Sequence, residues 1–327
     1  MPCYSPLTGY RSRSKNESGK YPVVFNVSDG WIDKPVQVPC GQCIGCRLER
    51  SRIWAMRCLH EASLYDNNCF ITLTFNDDYV MPSLDKSIFQ KFMKRLRRFM
   101  CSHDYVPCEN GDGFEWVECP DNGVRIRYFM CGEYGDKLSR PHYHACLFGF
   151  DFPDRVLWSV RDNVRLYRSS ILEKLWCDPK NGNSFGFSTV GDVSFESAAY
   201  VARYCMKKVT GEKADAHYNG RQSEYVTMSR RPGIGLAWLR KFHRDVYPLD
   251  EVVIRGNIKC KPARYYDEKF GEMSLTNKKV IDRLKLMRKK KAAESPDNSI
   301  RRLQDRETIK RQRVANLRRS YHEVTNF

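Results

Sequence analysis

The sequence predicts an α+β fold with a cysteine-rich N-terminal segment and a basic helical C-terminal tail, from three observations. CFITLTFND (Cys69 to Asp77) is a β-rich run that ends in turn chemistry. Ser83 can cap a helix to about Cys101, because Leu84, Ile88, Phe89, Phe92, Met93, Leu96, Phe99 and Met100 share one stripe that Lys91, Lys94, Arg95, Arg97 and Arg98 largely avoid. Arg125 to Gly132 and Pro141 to Phe150 read as two strands that can pair antiparallel.

The remaining elements follow in order. Residues 1–60 show no clear period at first and turn helical from about Arg47. Cys101 to Gly123 is a polar excursion. A short helix near Ser170 to Trp176 and a strand near Phe185 to Val190 lead into the helical pattern SFESAAYVARYCMKK (Ser194 to Lys208). In EYVTMSRRPGIG (Glu224 to Gly235) a strand gives way to a Pro-Gly turn, and a helix starts at about Leu236. The sequence divides into 1–60, a core of 61–248, a connecting segment 249–276 and a tail 277–327. The tail reads as one or two helices broken near Ser295-Pro296.

The chain of 327 residues carries a formal charge of +17, which points to a polyanionic partner. The tail from Asn277 holds 16 Lys/Arg against 6 Asp/Glu, a net of +10, which leaves +7 for the rest. No apolar run approaches the length of a spanning helix, and the N-terminus lacks the apolar core of a signal peptide. A cytoplasmic protein with mostly reduced cysteines is expected, which argues against a disulfide framework for its 14 cysteines.

His142 and His144 are one residue apart on a predicted strand, so both rings project to one side and can share a cation. Glu133, at the end of the preceding strand, is the preferred carboxylate and Asp136 the competing one. A His-His-Glu set with open positions suits Mg²⁺ or Mn²⁺ acting on a phosphate oxygen. Fifty-six residues on from His144, Tyr200 and Tyr204 lie one helical turn apart. Phe195, Ala198, Ala199, Ala202, Cys205 and Met206 form a complete apolar stripe. The wheel therefore expects both phenols on the opposite face with Arg203 and Lys207, whose charges favour the phenolate. A metal beside paired phenols suits attack of a tyrosine oxygen on a phosphodiester, with Lys207 steadying the pentavalent phosphate. Arg203, Lys208, Arg230 and Arg231 are the candidate DNA contacts.

Cys40, Cys43 and Cys46 follow a C-x₂-C-x₂-C spacing that fits a thiolate-bound metal. Structural zinc is the first reading, with Cys3 as fourth ligand and Cys58 next; an iron–sulfur cluster is the alternative.

FITLTF, GEYGDKLSRPHYHACLFG and YVARYCMKK, with SRRPGIG and the early PCGQCIGCR, together resemble the replication initiators of Microviridae bacteriophages, most closely their gokushovirus branch, within the HUH endonuclease superfamily. The resemblance spans roughly residues 40–235 in family order. Tyr143 stands between the histidines where an aliphatic is usual, and Arg203 stands where a lysine is common. The resemblance implies a central antiparallel sheet flanked by helices, with the histidines on a middle strand. It implies a rolling-circle initiator in which one tyrosine nicks single-stranded or supercoiled phage DNA at the origin, forming a 5′-phosphotyrosine, and the second later cuts the regenerated origin. Host helicase and polymerase would be partners in the bacterial cytoplasm. No phosphate-cradling glycine loop appears, and transesterification requires no nucleotide cofactor. The competing readings are a single-tyrosine transposase or plasmid initiator of the same superfamily, and a non-catalytic zinc-stapled nucleic-acid-binding protein.

Overall fold

A computed structural model describes residues 3–107, 114–118, 125–135, 138–161, 164–204, 208–209, 213–294 and 298–316. Contacts gather these into two compact units, one of 1–50 with 285–318 and the other of 51–284.

The first unit opens with β1 (Leu7–Ser12), β2 (Val23–Val24) and β3 (Gly30–Val38), an antiparallel sheet in the order β2-β1-β3. The sequence showed no period here for a physical reason: β3 is exposed at five successive positions, so no buried face imposes alternation. α1 (Ile44–Ala62) then starts earlier than the expected Arg47.

In the second unit β4 (Asn68–Thr74) leads to α2 (Lys86–Ser102). The cap of α2 is Asp85 rather than Ser83: Asp85 accepts from the Ser87 amide at 2.7 Å and from the Ser87 hydroxyl at 2.8 Å. The Ser83 hydroxyl instead accepts from the Gln222 amide at 2.8 Å. The backbone then forms β5 (His103–Pro107) and β6 (Phe114–Glu118), a hairpin-like pair within the polar excursion. Next come β7 (Arg127–Tyr134), β8 (Pro141–Phe148), β9 (Val156–Arg161), β10 (Val164–Arg168), α3 (Ser170–Leu175) and β11 (Ser188–Asp192). α4 (Phe195–Tyr204) follows, started by a reciprocal cap in which the Ser194 amide donates to the Ser197 hydroxyl at 2.8 Å and the Ser197 amide to the Ser194 hydroxyl at 3.1 Å. The chain continues through α5 (Lys213–Tyr218), β12 (Tyr225–Met228) and α6 (Leu236–Val246). The segment 249–276 is structured: β13 (Val252–Arg255) and β14 (Ile258–Cys260) form a hairpin, and α7 (Arg264–Met273) buries Tyr266 and Phe270. α8 (Leu275–Ala293) and α9 (Ile300–Ala315) make up most of the basic tail, and the expected break at 295–296 falls outside the described residues.

The main sheet has the order β12-β7-β8-β4-β11-β10-β9 with every pair antiparallel. One face packs Ile71, Leu73, Met130, Tyr143, Ala145 and Leu147 against the α2 stripe of Phe89, Phe92, Met93 and Leu96. Each fully buried Ile, Leu, Met or Phe among them is worth about 1.5–3 kcal/mol. The opposite face carries Phe70, Phe129, Cys131, Cys146 and Phe148 against Ala198, Val201 and Ala202 of α4 and Ala55 and Cys58 of α1. The alternation along β4 and β8 thus sends one set of side chains into the α2 core and the other toward α4, where the site lies.

Candidate functional site

His142 and His144 sit on β8, an interior strand, on the face that α4 covers. In the ladders His144 is opposite Cys131 of β7 and Thr72 of β4, while His142 is opposite Glu133 and Thr74. Residues directly opposite share a face, so two histidines, two threonines and Glu133 converge there. The imidazoles are nearly parallel, 13° apart with centroids at 6.3 Å. His144 and Glu133 are 1 % and 2 % exposed. His144 Nδ1 lies 3.0 Å from Thr72 Oγ1, and its Nε2 lies 2.9 Å from Glu133 Oε1. His142 is half-buried and turned toward Gly135, where a Cβ would stand 2.7 Å from its Nε2, so glycine leaves room for this ring.

Two ligand atoms about 2.1 Å from one cation and at right angles to it are roughly 3.0 Å apart. The Glu133–His144 contact has that spacing, and two imidazoles with a carboxylate are donors that a hard divalent ion accepts. The residues suit such a cation in kind, but the 2.9 Å Glu133–His144 spacing is equally that of a hydrogen bond, and His142, His144 and Glu133 do not bring all their ligand atoms within 4.8 Å of one another. Asp136 lies outside the described residues.

The tyrosine helix requires a correction. The wheel expected Tyr200 on an exposed face opposite the apolar stripe, yet Tyr200 is 5 % exposed and stands edge-on to His144, with ring centroids 5.2 Å apart and planes at 88°. Phe70, parallel to His144 with centroids 6.1 Å apart, also stands edge-on to the Tyr200 ring at 6.3 Å. The small residues explain the difference. Ser197, Ala198 and Ala202 let α4 settle close to the sheet, which buries a wider arc that includes Val201 and Tyr200. Tyr204 ends α4, but its side chain, like Lys207 and the stripe residues Cys205 and Met206, is outside the described residues. Arg203 and Lys208 are half-buried.

Arg230 and Arg231 are exposed on a loop whose base is tightly held. Arg57, between the rings of Trp54 and Tyr265 at 4.1 and 3.9 Å, donates through Nε and Nη2 to the Ile234 carbonyl at 3.0 and 2.9 Å. Glu61 accepts from the Gly235 amide at 2.6 Å and pairs with Arg127, which also donates to the Pro232 carbonyl at 2.8 Å. Gly235 has a φ of +80°, and a Cβ there would collide with the Tyr266 hydroxyl. Thr72, Arg57, Glu61 and Arg127 were not singled out from sequence. Thr72 had a signal, since Thr72 and Thr74 alternate with Ile71 and Leu73 in FITLTF. The others had none beyond long-range pairing.

In the first unit Cys3, Cys40, Cys43 and Cys46 bring their sulfurs within 4.8 Å of one another, the one such group of three or more potential ligands among the described residues. All four are free thiols. Cys3 Sγ is 3.6 Å from Cys40 Sγ and 3.9 Å from Cys43 Sγ. Four sulfurs about 2.3 Å from one zinc stand roughly 3.8 Å apart, so the group could hold a single metal ion such as zinc. Backbone amides of Cys40, Tyr4, Cys43 and Cys46 point at sulfurs over 3.2–3.5 Å. Burial pushes the Cys43 thiol up, but the amides of Cys46 and Tyr4 outweigh it and bring its pKa down to about 7. Cys58 is buried in the other unit's core among Phe129 and Cys146 and is not a member of this group.

No helix among the described residues is long and apolar enough to cross a membrane. No solved structure matches the chain. The family described as Replication-associated protein ORF2/G2P matches residues 68–209, a stretch that contains β4, both histidines and α4. The chain is 31 % identical over 235 residues to Replication-associated protein VP4 of Bdellovibrio phage phiMH2K, covering 70 % of this chain and 66 % of that one. It is 29 % identical over 311 residues to Replication-associated protein ORF2 of Spiroplasma virus 4, covering 89 % and 87 %. It is also 29 % identical over 227 residues to Replication-associated protein ORF4 of Chlamydia phage 1, spanning 67 % of this chain and half of the relative's length. With its histidine strand and tyrosine helix inside the matched region, the chain belongs to the replication-associated protein ORF2/G2P family of phages.

Proposed function

We propose that the chain initiates rolling-circle replication of a small phage genome, as a site-specific single-stranded DNA endonuclease and ligase of the HUH type. The observation that supports this most is the contact chain Tyr200–His144–Glu133, which sets a phenol ring beside a candidate cation site. Relatives named for replication in three phages support the biological role. The seven-stranded antiparallel sheet with helices on both faces is compatible with the HUH fold. We assign catalysis to 61–248, and origin DNA, host helicase and host polymerase as partners in the bacterial cytoplasm.

In the proposed reaction a tyrosine oxygen attacks phosphorus, its proton passes to a base or water, and the bond to the 3′-oxygen breaks. The protonated 3′-hydroxyl then primes synthesis, and the 5′-phosphate stays on the tyrosine. Tyr200 and Tyr204 are the proposed nucleophiles, with Lys207 offsetting the charge that develops on the phosphate. His142, His144 and Glu133 would hold Mg²⁺ or Mn²⁺, which supplies polarisation of a non-bridging phosphate oxygen. Thr72 acts through His144: if Nδ1–H donates to Thr72 Oγ1, Nε2 is left with the lone pair that ligation needs. Arg203, Lys208, Arg230 and Arg231 would take neighbouring phosphates. In the other unit Cys3, Cys40, Cys43 and Cys46 would hold structural zinc, since the close sulfurs suit one ion better than an iron–sulfur core.

The test is incubation of the purified chain with single-stranded circles carrying the cognate origin, with and without Mn²⁺, followed by denaturing electrophoresis. A metal-dependent covalent protein–DNA adduct is expected. Binding without any adduct overturns the proposal in favour of a non-catalytic role.

A further inference from the structure

The N-terminal sheet leaves large aromatic side chains in water that its own packing does not use. Trp31 on β3 is 45 % exposed, and Tyr21, just before β2, is 46 % exposed. Rings of this size normally bury their faces, and a cluster of them left open marks a binding surface. Cations surround them. The Arg13 guanidinium lies 5.8 Å and the Lys34 ammonium 5.3 Å from the Trp31 centroid, and the Lys15 ammonium lies 5.6 Å from that of Tyr21. Arg11 is opposite Trp31 in the β1–β3 register and donates to the Tyr21 carbonyl at 3.2 Å. These cations lean on ring faces and backbone carbonyls. Trp31, Tyr21, Arg11, Lys20 and Lys34 line one open depression of about 610 Å³.

Flat π-faces interleaved with cations match one ligand chemistry: a chain of unpaired bases on a phosphate backbone. Bases stack on aromatic rings without regard to sequence, and phosphates pair with the Lys and Arg between them. A duplex hides its base faces and offers only the phosphates. A membrane surface would favour an apolar face without recessed rings between cations. We propose that this sheet is a second DNA-binding surface, on which bases of single-stranded DNA stack on Trp31 and Tyr21 while Arg11, Arg13, Lys15 and Lys34 engage the phosphates. The choice of DNA rests on the proposed replication role; the stacking surface rests on the rings and cations themselves. None of these residues belongs to the histidine–tyrosine site.

The test uses the full chain and a fluorescein-labelled oligothymidylate, with anisotropy measured at several salt concentrations. Loss of one stacked base weakens binding by about 5-fold to about 150-fold. Trp31→Ala should therefore weaken binding at least about 5-fold with an unchanged salt slope, and Trp31→Phe should restore most of the affinity. Lys34→Gln should flatten the slope by ~0.7. Binding of a duplex of equal length should be unaffected by Trp31→Ala. Oligothymidylate affinity equal to wild type in both Trp31→Ala and Tyr21→Ala overturns the proposal, as does an equal loss for duplex. Should Trp31→Ala fail to fold, Tyr21→Ala, outside the strands, decides alone. Adduct formation by the wild-type chain is scored separately: an adduct with no effect of the ring variants defeats the stacking surface only, and ring effects without an adduct defeat the nicking role only.

Discussion

Glu133 bonds diagonally: the strand register sets it opposite His142, yet its Oε1 meets Nε2 of His144, 2.9 Å away and two register positions along. Both groups are almost wholly buried, and a carboxylate removed from water costs several kcal/mol unless it is paired. The diagonal contact leaves the in-register neighbour His142 on the same face as a further donor.

Glu133→Gln keeps the shape of this side chain and removes its charge. Adduct formation should fall about 100-fold or more while DNA affinity changes less than about twofold. Thr72→Val, which removes a partner of a metal-ligand candidate, should cost about 10-fold. Single-turnover cleavage and anisotropy measured on the same preparations separate the two effects. An unchanged cleavage rate in Glu133→Gln would show that the pair serves folding only.

Because the Tyr200 ring packs on Phe70 and His144, its phenol and its bulk can be tested separately. Tyr200→Phe should stay within about 1 kcal/mol of wild type in denaturant unfolding, whereas Tyr200→Ala should lose about 3–5 kcal/mol. The double variant Tyr200→Phe/Tyr204→Phe should form no denaturation-resistant adduct. Any such adduct from the double variant sinks the tyrosine assignment.

The four-cysteine group should retain one zinc per chain through gel filtration. Cys40→Ser and Cys43→Ser should each lower both the bound metal and the melting temperature, and chelator should reproduce the melting change in wild type. Elemental analysis decides: iron in place of zinc reassigns the ion, and no metal at full stability rejects the site.

His60 stacks on Trp238 with centroids 3.6 Å apart and has Nδ1 3.0 Å from the Tyr266 hydroxyl; burial lowers its pKa to about 4. The unfolded chain, with a value near 6.5, takes up its proton first. The stability that neutral His60 supplies is complete above about pH 6.5 and is lost as pH falls toward 4, by up to roughly 3 kcal/mol. His60→Gln should flatten the unfolding free energy across that window, and parallel curves for the two proteins would exclude His60 as the titrating group.

Lys289, Lys290 and Lys291 are exposed on α8, where they can meet phosphates without sequence preference. Replacing all three by Gln should flatten the log-affinity against log-salt slope on single strands by ~2, at ~0.7 per contact. Cleavage at saturating DNA should persist. Identical slopes would make this helix a solvated surface.

What the sequence disclosed follows how strongly burial marks each segment. β4 and β8 were legible as apolar β-rich runs because both of their faces are buried, and α2 because it buries one stripe completely; the one-residue spacing of His142 and His144 carried the histidine face with it. The three-stranded N-terminal sheet was not, since most of β3 is in water and no alternation is selected. α7 escaped notice because Tyr266 and Phe270 are its main apolar anchors within a charged stretch. The face of Tyr200 was misjudged for another reason. The apolar stripe of the wheel leaves out Val201, which is fully buried, so the helix seats on an arc turned toward Tyr200; the distance at which alanines allow a helix to approach a sheet is likewise not encoded in hydropathy. The grip of Arg57, Glu61 and Arg127 on 232–235 joins residues over a hundred positions apart, which no local pattern reports.

Tyr143, the residue between the two histidines, points through to the other side of the sheet and is fully buried. Its hydroxyl donates to the Asp85 carbonyl at 2.9 Å and accepts from the Asp85 amide at 3.2 Å, at the entrance to α2. The strand that presents the imidazoles is thereby bolted from behind to a second element, so the imidazoles are pre-organised and little reorganisation energy remains to be spent when a ligand arrives. An aliphatic spacer lacks the hydroxyl and would leave the bolt undone. Loosening there would register first as blurred ligand geometry, and only later as a lower melting point.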